Sequence, residues 1–208
     1  MPKVSRRKFL SNGAGLSAAG LSAAGLSSTA LAAADRKLDG AREHTGGAAP
    51  LGAKLGPFED LRDWMGELER RGLVLRVRDI DQDAYEGTAL MYRLVDRFGM
   101  YFAPALIMEN IKIDGRWHKG PIIANHFGHW DTECLAFGLE PVPNDHVATY
   151  YKALARVEEY LQLGSGGAFP TAPFLEVRRE EAPCKQVILS GDAIDLRQFA
   201  FIQSNPAD

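Results

Sequence analysis

Residues 104–110 read Pro-Ala-Leu-Ile-Met-Glu-Asn, and the four consecutive apolar residues 105–108 predict a buried β-strand. Residues 121–125, Pro-Ile-Ile-Ala-Asn, have the same character and predict a second buried strand. Between them, residues 111–117 predict a hairpin arm that turns at Asp114-Gly115, a dipeptide that favours positive φ. These strands form the centre of the predicted domain.

Helices are predicted around these strands. Apolar residues recur at helical spacing after Pro57, and Gly72 stands where such a helix would end. Residues 73–77 then alternate as a strand, and a second helix is predicted over residues 84–98. Because helices and strands alternate throughout, the sequence predicts an α/β or α+β fold.

Two further helices complete a domain predicted over residues 57–163. A short helix is predicted over residues 131–137, and a longer one from Asn144 or Asp145 to Leu163. The longer helix is expected to bury an apolar stripe at helical spacing. This stripe consists of Val147, Tyr151, Leu154, Val157 and Leu161.

Residues 1–34 have the three parts of an export signal: a basic start, an uncharged middle rich in Gly, Ala and Ser, and small residues at the end. Arg6 and Arg7, followed by Phe-Leu, resemble a twin-arginine signal, which predicts a periplasmic protein exported by the Tat translocase. Cleavage before Ala33 or before Asp35 satisfies a small-x-small pattern. Without a working signal the chain would stay in the cytoplasm, and a low-complexity N-terminus is the alternative interpretation.

Segments rich in Gly separate the predicted parts of the chain. Residues 35–56 predict a flexible linker, and the Gly-Ser-Gly-Gly run at 164–167 predicts a domain boundary. Residues 164–182 are expected to be a second linker. Residues 183–208 would then begin another domain, with a strand over residues 184–189.

Composition argues against two classes of protein. The formal net charge is -3, and removing residues 1–34 leaves 20 basic against 27 acidic residues, so nonspecific nucleic-acid binding is disfavoured. Cys134 and Cys184 are too few for a disulfide scaffold. Two separate thiols are the favoured interpretation of this pair, although an oxidising compartment would permit a disulfide.

His126 and His129 are the only metal-ligand candidates that the sequence suggests. They form a His-x-x-His pair near Asp131 and Glu133, and such ligands suit Zn²⁺ or Mn²⁺. The spacing is not the i,i+4 spacing of the helical zinc motif. Surface or hydrogen-bonded histidines are therefore the favoured interpretation.

Three segments, in order, resemble the UbiD family of decarboxylases. Residues 58–72 resemble the family's Asp-Leu-Arg-Asp helix, which ends in Gly before a strand. Residues 104–110 and 121–128 look like its Pro-Ala-aliphatic-Glu-Asn strand and its Asn-x-Phe-Gly strand end. Residues 182–196, Ala-Pro-Cys-Lys-Gln-Val-Ile-Leu-Ser-Gly-Asp-Ala-Ile-Asp-Leu, are similar to the Pro-Cys-x-x-x-aliphatic-x-Gly-Asp-x-x-Asp-Leu block that leads into the family's central domain.

This resemblance implies a carboxy-lyase that reversibly and non-oxidatively decarboxylates an aromatic or α,β-unsaturated acid. Such enzymes use prenylated FMN, supplied by a separate prenyltransferase, with Mn²⁺ or Mg²⁺ and often K⁺, and the cofactor carries the difficult chemistry. The family's Glu-Arg-Glu set and its metal and phosphate ligands match no position of this chain, so no catalytic or cofactor-binding residue is carried over.

The resemblance therefore implies an N-terminal UbiD-like domain, present as a fragment or a split subunit that is inactive alone. Its partners would be the central and C-terminal UbiD domains on another chain or reading frame, and the full enzyme could be a homo-oligomer. The alternative is a non-catalytic exported module that binds a partner protein, or a relic of truncation.

Overall fold

A computed structural model describes residues 26–39, 50–164 and 174–202 of the chain. It shows a four-stranded mixed sheet with helices packed on both of its faces. The predicted mixed α/β class is thereby confirmed. In these three ranges no helix combines the length and the apolar character needed to cross a membrane.

Over residues 57–163 the elements follow the predicted order, whereas the helix over residues 28–38 was not predicted. The helices are α1 (Ser28–Leu38), α2 (Leu61–Arg70), α3 (Glu86–Phe98), α4 (Trp130–Ala136) and α5 (His146–Leu163). The strands are β1 (Val74–Asp81), β2 (Ala105–Ile113), β3 (Arg116–His118) and β4 (Ile122–Ala124). Short 3-10 turns occupy Gln82–Ala84, Arg179–Glu181, Pro183–Lys185, Gly191–Ala193 and Leu196–Gln198.

Strand β2 lies at the centre of the sheet and pairs on both sides. Strand β1 runs parallel to it, with Val74 opposite Ala105. On the other side β3 pairs antiparallel with residues 111–113, and β4 pairs antiparallel with residues 106–108. Because β1 and β2 are parallel, the chain needs a crossover between them, and α3 provides it.

The side chains of β2 alternate between two hydrophobic cores. Leu106 and Met108 pack into a first core, which α1 and α3 cover. Ala105 and Ile107 pack into a second core with α2 and Leu135 of α4. A strand that is covered on both faces needs apolar side chains at every position, which explains the uninterrupted apolar run.

A paired distortion marks the middle of β1 and β2. Asp79 of β1 and Asn110 of β2 both have left-handed backbone conformations, with φ of 55° and 53°. The Asn110 Nδ2 donates a hydrogen bond to the Asp79 Oδ1 at 3.2 Å. Asp and Asn tolerate this region better than other non-glycine residues, so the two types suit the two positions.

The structure differs from the predicted linker over residues 35–56. Residues 35–38 form the last turn of α1, because Leu38 is buried in the first core. Residues 40–49 lie outside the described ranges. Beyond them, the Gly56 N–H donates to the Leu135 carbonyl at 3.0 Å, which ties this part of the chain to α4.

Helix α5 has the predicted extent but buries a different face. Its start is fixed by Asp145, whose side chain accepts a hydrogen bond from the Ala148 N–H at 2.8 Å. The predicted inward stripe is wrong at Val147, Tyr151 and Leu161, which are 62%, 63% and 62% exposed, whereas Leu154 and Val157 are half-buried. Thr149 and Ala153 are buried instead, because α5 approaches α4 through small side chains.

The predicted strand over residues 184–189 is also wrong. Residues 174–202, called the C-terminal segment below, contain four 3-10 turns and no strand among the positions described. Pro183–Lys185 forms one of these turns. A strand requires a partner for its backbone groups, and no strand of the described sheet pairs with this segment.

The central position of β2 predicts where substitutions are costly. Replacing Leu106 with Ala removes a fully buried side chain from the first core and should lower the free energy of unfolding by about 2–5 kcal/mol. Leu61→Ala is the matched control, since Leu61 is half exposed at the start of α2. Urea unfolding followed by circular dichroism measures the free energy of unfolding of both variants. An equal loss in the two variants would contradict the proposed core.

Candidate functional site

The two histidines predicted as weak metal ligands make different contacts. The His126 Nδ1 accepts a hydrogen bond from the Trp64 Nε1 at 3.3 Å, and its ring lies against Phe127. The His129 Nδ1 accepts from the Asp131 N–H at 3.1 Å and so caps α4. Each ring therefore uses its Nδ1 atom to hold the local structure.

His129 instead belongs to a cluster at the starts of α4 and α5. The Asp131 carboxylate lies 3.8 Å from the His129 Nδ1 and 3.6 Å from the His146 Nδ1. The Phe102 ring packs edge-on against both imidazoles. His129 and Asp131 are buried, and His146 is partly exposed.

This cluster brings the starts of the two helices together through ring packing. Within the described ranges, however, no three side chains of His, Cys, Asp or Glu are arranged to hold a metal ion. His146 was missed by sequence reasoning, because only the fold brings it beside His129.

The family-like strand 104–110 ends in an exposed ion network. Glu109 accepts hydrogen bonds from Arg78 at 2.8 Å and from Arg76 at 3.0 Å, both on β1. The Arg78 guanidinium, followed by Arg76, holds the pKa of the Glu109 carboxyl below its ordinary value. The network links the two strands beside the Asp79–Asn110 distortion.

The Asn-x-Phe-Gly segment also has a structural role. Asn125 adopts a φ of 54°, and its Nδ2 donates to the Ala103 and Pro104 carbonyls at 3.1 and 3.0 Å. The Gly128 N–H donates back to the Asn125 carbonyl at 3.0 Å. A Cβ atom on Gly128 would collide with the Asn125 side chain, so this turn requires glycine.

A cleft of about 400 Å³ lies between the β2–β3 hairpin and the end of the C-terminal segment. Its walls are formed by Ile113, Asp114, Arg116, His118, Leu196, Arg197, Phe199 and Phe201. The Arg197 Nε donates to the Asp195 Oδ1 at 2.8 Å. Half of the wall belongs to the C-terminal segment, so whatever covers that segment also shapes the cleft.

The C-terminal segment is anchored at one end and exposed along the rest. Ile202 packs against the first core. Phe174 is 95% exposed and Val187 is 78% exposed. The other exposed large apolar residues of the segment are Leu175, Val177, Ile188, Leu189, Ile194, Leu196, Phe199 and Phe201.

The two cysteines are separate free thiols, as favoured from the sequence. Cys134 is buried in α4, where its Sγ donates to the Thr149 carbonyl at 3.1 Å. Burial raises the pKa of this thiol, which makes it less reactive. Cys184 is exposed in the C-terminal segment.

A buried ion network was missed by sequence reasoning. Glu67 of α2 is fully buried and accepts hydrogen bonds from Arg71 at 2.7 Å and from Arg70 at 2.6 Å. Arg71 also donates to Glu140 at 2.8 Å, which connects α2 to the residues before α5. The i,i+3 and i,i+4 spacing of the two arginines after Glu67 was the available signal.

Burial by itself would raise the pKa of Glu67. The hydrogen bonds from the Lys54 backbone and from the side chains of Arg71 and Arg70 outweigh this effect, and the pKa lies below its ordinary value of 4.5. The network is therefore ionised at neutral pH and stabilises the folded state there.

No protein-family model matches the sequence. No solved structure matches the fold.

Glu67→Gln should lower the free energy of unfolding by about 2–3 kcal/mol at neutral pH, because Arg71 then keeps only Glu140 as a carboxylate partner. The depressed pKa means that the stabilisation is complete above pH 4.5 and is lost as the pH falls through the lower folded-state value. The difference between wild type and variant should therefore shrink in acid. Urea unfolding across a pH series measures this difference in the free energy of unfolding.

Glu158→Gln is the control, since Glu158 is exposed on α5. This substitution should change stability by less than about 0.5 kcal/mol at any pH. A Glu67 variant that is equally destabilised at neutral and acidic pH would show that lost packing, rather than lost charge, is responsible.

Proposed function

We propose that this chain supplies the N-terminal lobe of a UbiD-type carboxy-lyase, which reversibly decarboxylates an aromatic or α,β-unsaturated acid. The support is the order and placement of the three family-like segments. Residues 58–72 contain α2 and the turn into β1. Residues 104–110 and 121–128 contain the parts of β2 and β4 that pair with each other. Residues 182–196 lie in the exposed C-terminal segment.

The observation that carries the proposal is the exposure of the C-terminal segment. Its apolar side chains face solvent while its last described residue, Ile202, is held in the first core. In the family, the matching block leads into the central domain. We infer that this segment docks the lobe onto the central UbiD domain, on the same or another polypeptide, and buries its exposed apolar surface there.

The chemistry would come from that second domain. Prenylated FMN would supply the electron sink for loss of CO₂, with Mn²⁺ or Mg²⁺ and K⁺ beside it. The described residues include no three-ligand set for the divalent metal ion. We therefore assign this chain a docking role and derive no reaction step from it.

Export is the second part of the proposal. Arg6 and Arg7 would direct the chain to the Tat translocase, which carries folded proteins and so suits an enzyme that receives its flavin in the cytoplasm. Both arginines lie outside the described ranges. The alternative function is a non-catalytic exported subunit that binds a partner through the same segment.

The test is capture of the tagged chain from the cells that encode it, under conditions in which prenylated FMN is produced. We expect a polypeptide with a UbiD-type central domain to co-purify, with flavin absorbance and CO₂ release from an unsaturated acid. Ile188→Asp should weaken this capture at least about tenfold, because it places a charge in a buried interface.

Leu51→Asp is the control, because Leu51 is an exposed aliphatic residue outside the C-terminal segment. It should leave capture unchanged. Recovery of a partner without flavin or CO₂ release would favour the non-catalytic alternative. Capture of no UbiD-type polypeptide, or decarboxylation by the purified chain alone, would overturn the docking proposal.

A further inference from the structure

Helix α1 begins at a well-formed cap. The Ser27 Oγ accepts a hydrogen bond from the Ala30 N–H at 3.1 Å. The Ser27 carbonyl accepts another from the Leu31 N–H at 3.1 Å. Serine at this position satisfies backbone donors that would otherwise be unpaired, so the helix has a defined first residue.

One face of α1 is part of the first core. Ala34 and Leu38 are essentially inaccessible to solvent, and Ala30 and Ala33 are buried with them. Ala32, in the same helix, is exposed. The small alanine side chains let α1 approach α3 closely, and removing α1 would uncover the core residues beneath it.

Polar contacts hold the other side of α1. The Lys37 Nζ donates to the Arg78 and Asp79 carbonyls of β1 at 3.0 and 2.9 Å. Asp35 forms an ion pair with Arg93 of α3 at 3.3 Å. Asp35 and Lys37 therefore fasten the last turns of the helix to α3 and to the sheet, while the buried residues Ala30 and Ala33 lie before the predicted cleavage position at Asp35.

These contacts conflict with cleavage before Ala33 or before Asp35. Both peptide bonds lie within α1, and a protease needs an extended, accessible segment. A protein carried across the membrane in folded form would present α1 already packed. Cleavage at either bond would also separate Ala30 from the rest of the core face.

We propose that α1 is retained as the first helix of the mature domain, and that the export signal is removed before Ser27. The processing half of this inference rests on the proposed Tat export, whereas retention of α1 rests on its packing alone. The sequence offers a suitable position upstream, because Ser22-Ala23-Ala24 gives a small-x-small pattern before Gly25.

The first test is the N-terminus of the exported protein. The full chain is produced in a bacterium with an active twin-arginine translocase, and the intact mass of the periplasmic or membrane-bound product is measured. We expect a product that retains residues 27–39. A folded product beginning at Ala33, at Asp35 or later would overturn the inference.

A control separates this inference from the export proposal. The double variant Arg6→Lys, Arg7→Lys should accumulate unprocessed in the cytoplasm. If the wild-type chain behaves in the same way as this variant, export fails, and the packing of α1 is decided by the second test.

The second test compares matched substitutions in the full-length cytoplasmic double variant. Ala34→Asp places a carboxylate in the first core and should lower the Tm by about 10 °C or more. Ala32→Asp makes the same change at an exposed position of α1 and should shift the Tm by less than about 3 °C. Equal shifts would show that α1 does not pack on α3 and would overturn its retention.

Discussion

The fold depends on the burial of strand β2 on both faces and its pairing along both edges. A strand in this position cannot place a polar side chain toward either core, so residues 105–108 are all apolar. Its two faces each require a cover of their own. The first face takes α1 and α3 and the second takes α2 and α4, so the central strand determines how the other elements are arranged.

Residues in segments 104–110 and 121–128 have roles in the backbone geometry. Asn110 lies at the paired distortion of β1 and β2, and Asn125 ties the end of β4 to the residues before β2. Gly128 is required because a side chain there would collide with Asn125. Each of these residues holds a turn or a strand end.

The sequence predicted the elements whose periodicity is local. The helices, the buried strands and the Asp114-Gly115 turn follow from patterns within a few residues. It failed where the outcome depends on distant partners: most of the apolar stripe of α5 remains exposed, because the helix buries Thr149 and Ala153 instead. The strand predicted near Cys184 failed for a related reason, since no described strand lies beside it.

The candidate site shows the same division. Pairing of His129 with His146 depends on how α4 and α5 meet, which local spacing does not encode. Glu67, by contrast, carried a local signal in its two following arginines. The interpretation of residues 1–34 as an export signal rests on composition and charge. These two properties do not reveal the amphipathic spacing of residues 28–38, where α1 forms.

The outer side of β1 has a consequence for assembly. Within the described sheet β1 pairs only with β2, so β1 is an edge strand whose other side is unpaired in that sheet. Unprotected edges recruit strands from other molecules, and charged side chains oppose this. Arg76 and Arg78 are such charges on β1, and both side chains are exposed. Extension of the sheet by a second copy along this edge is therefore disfavoured.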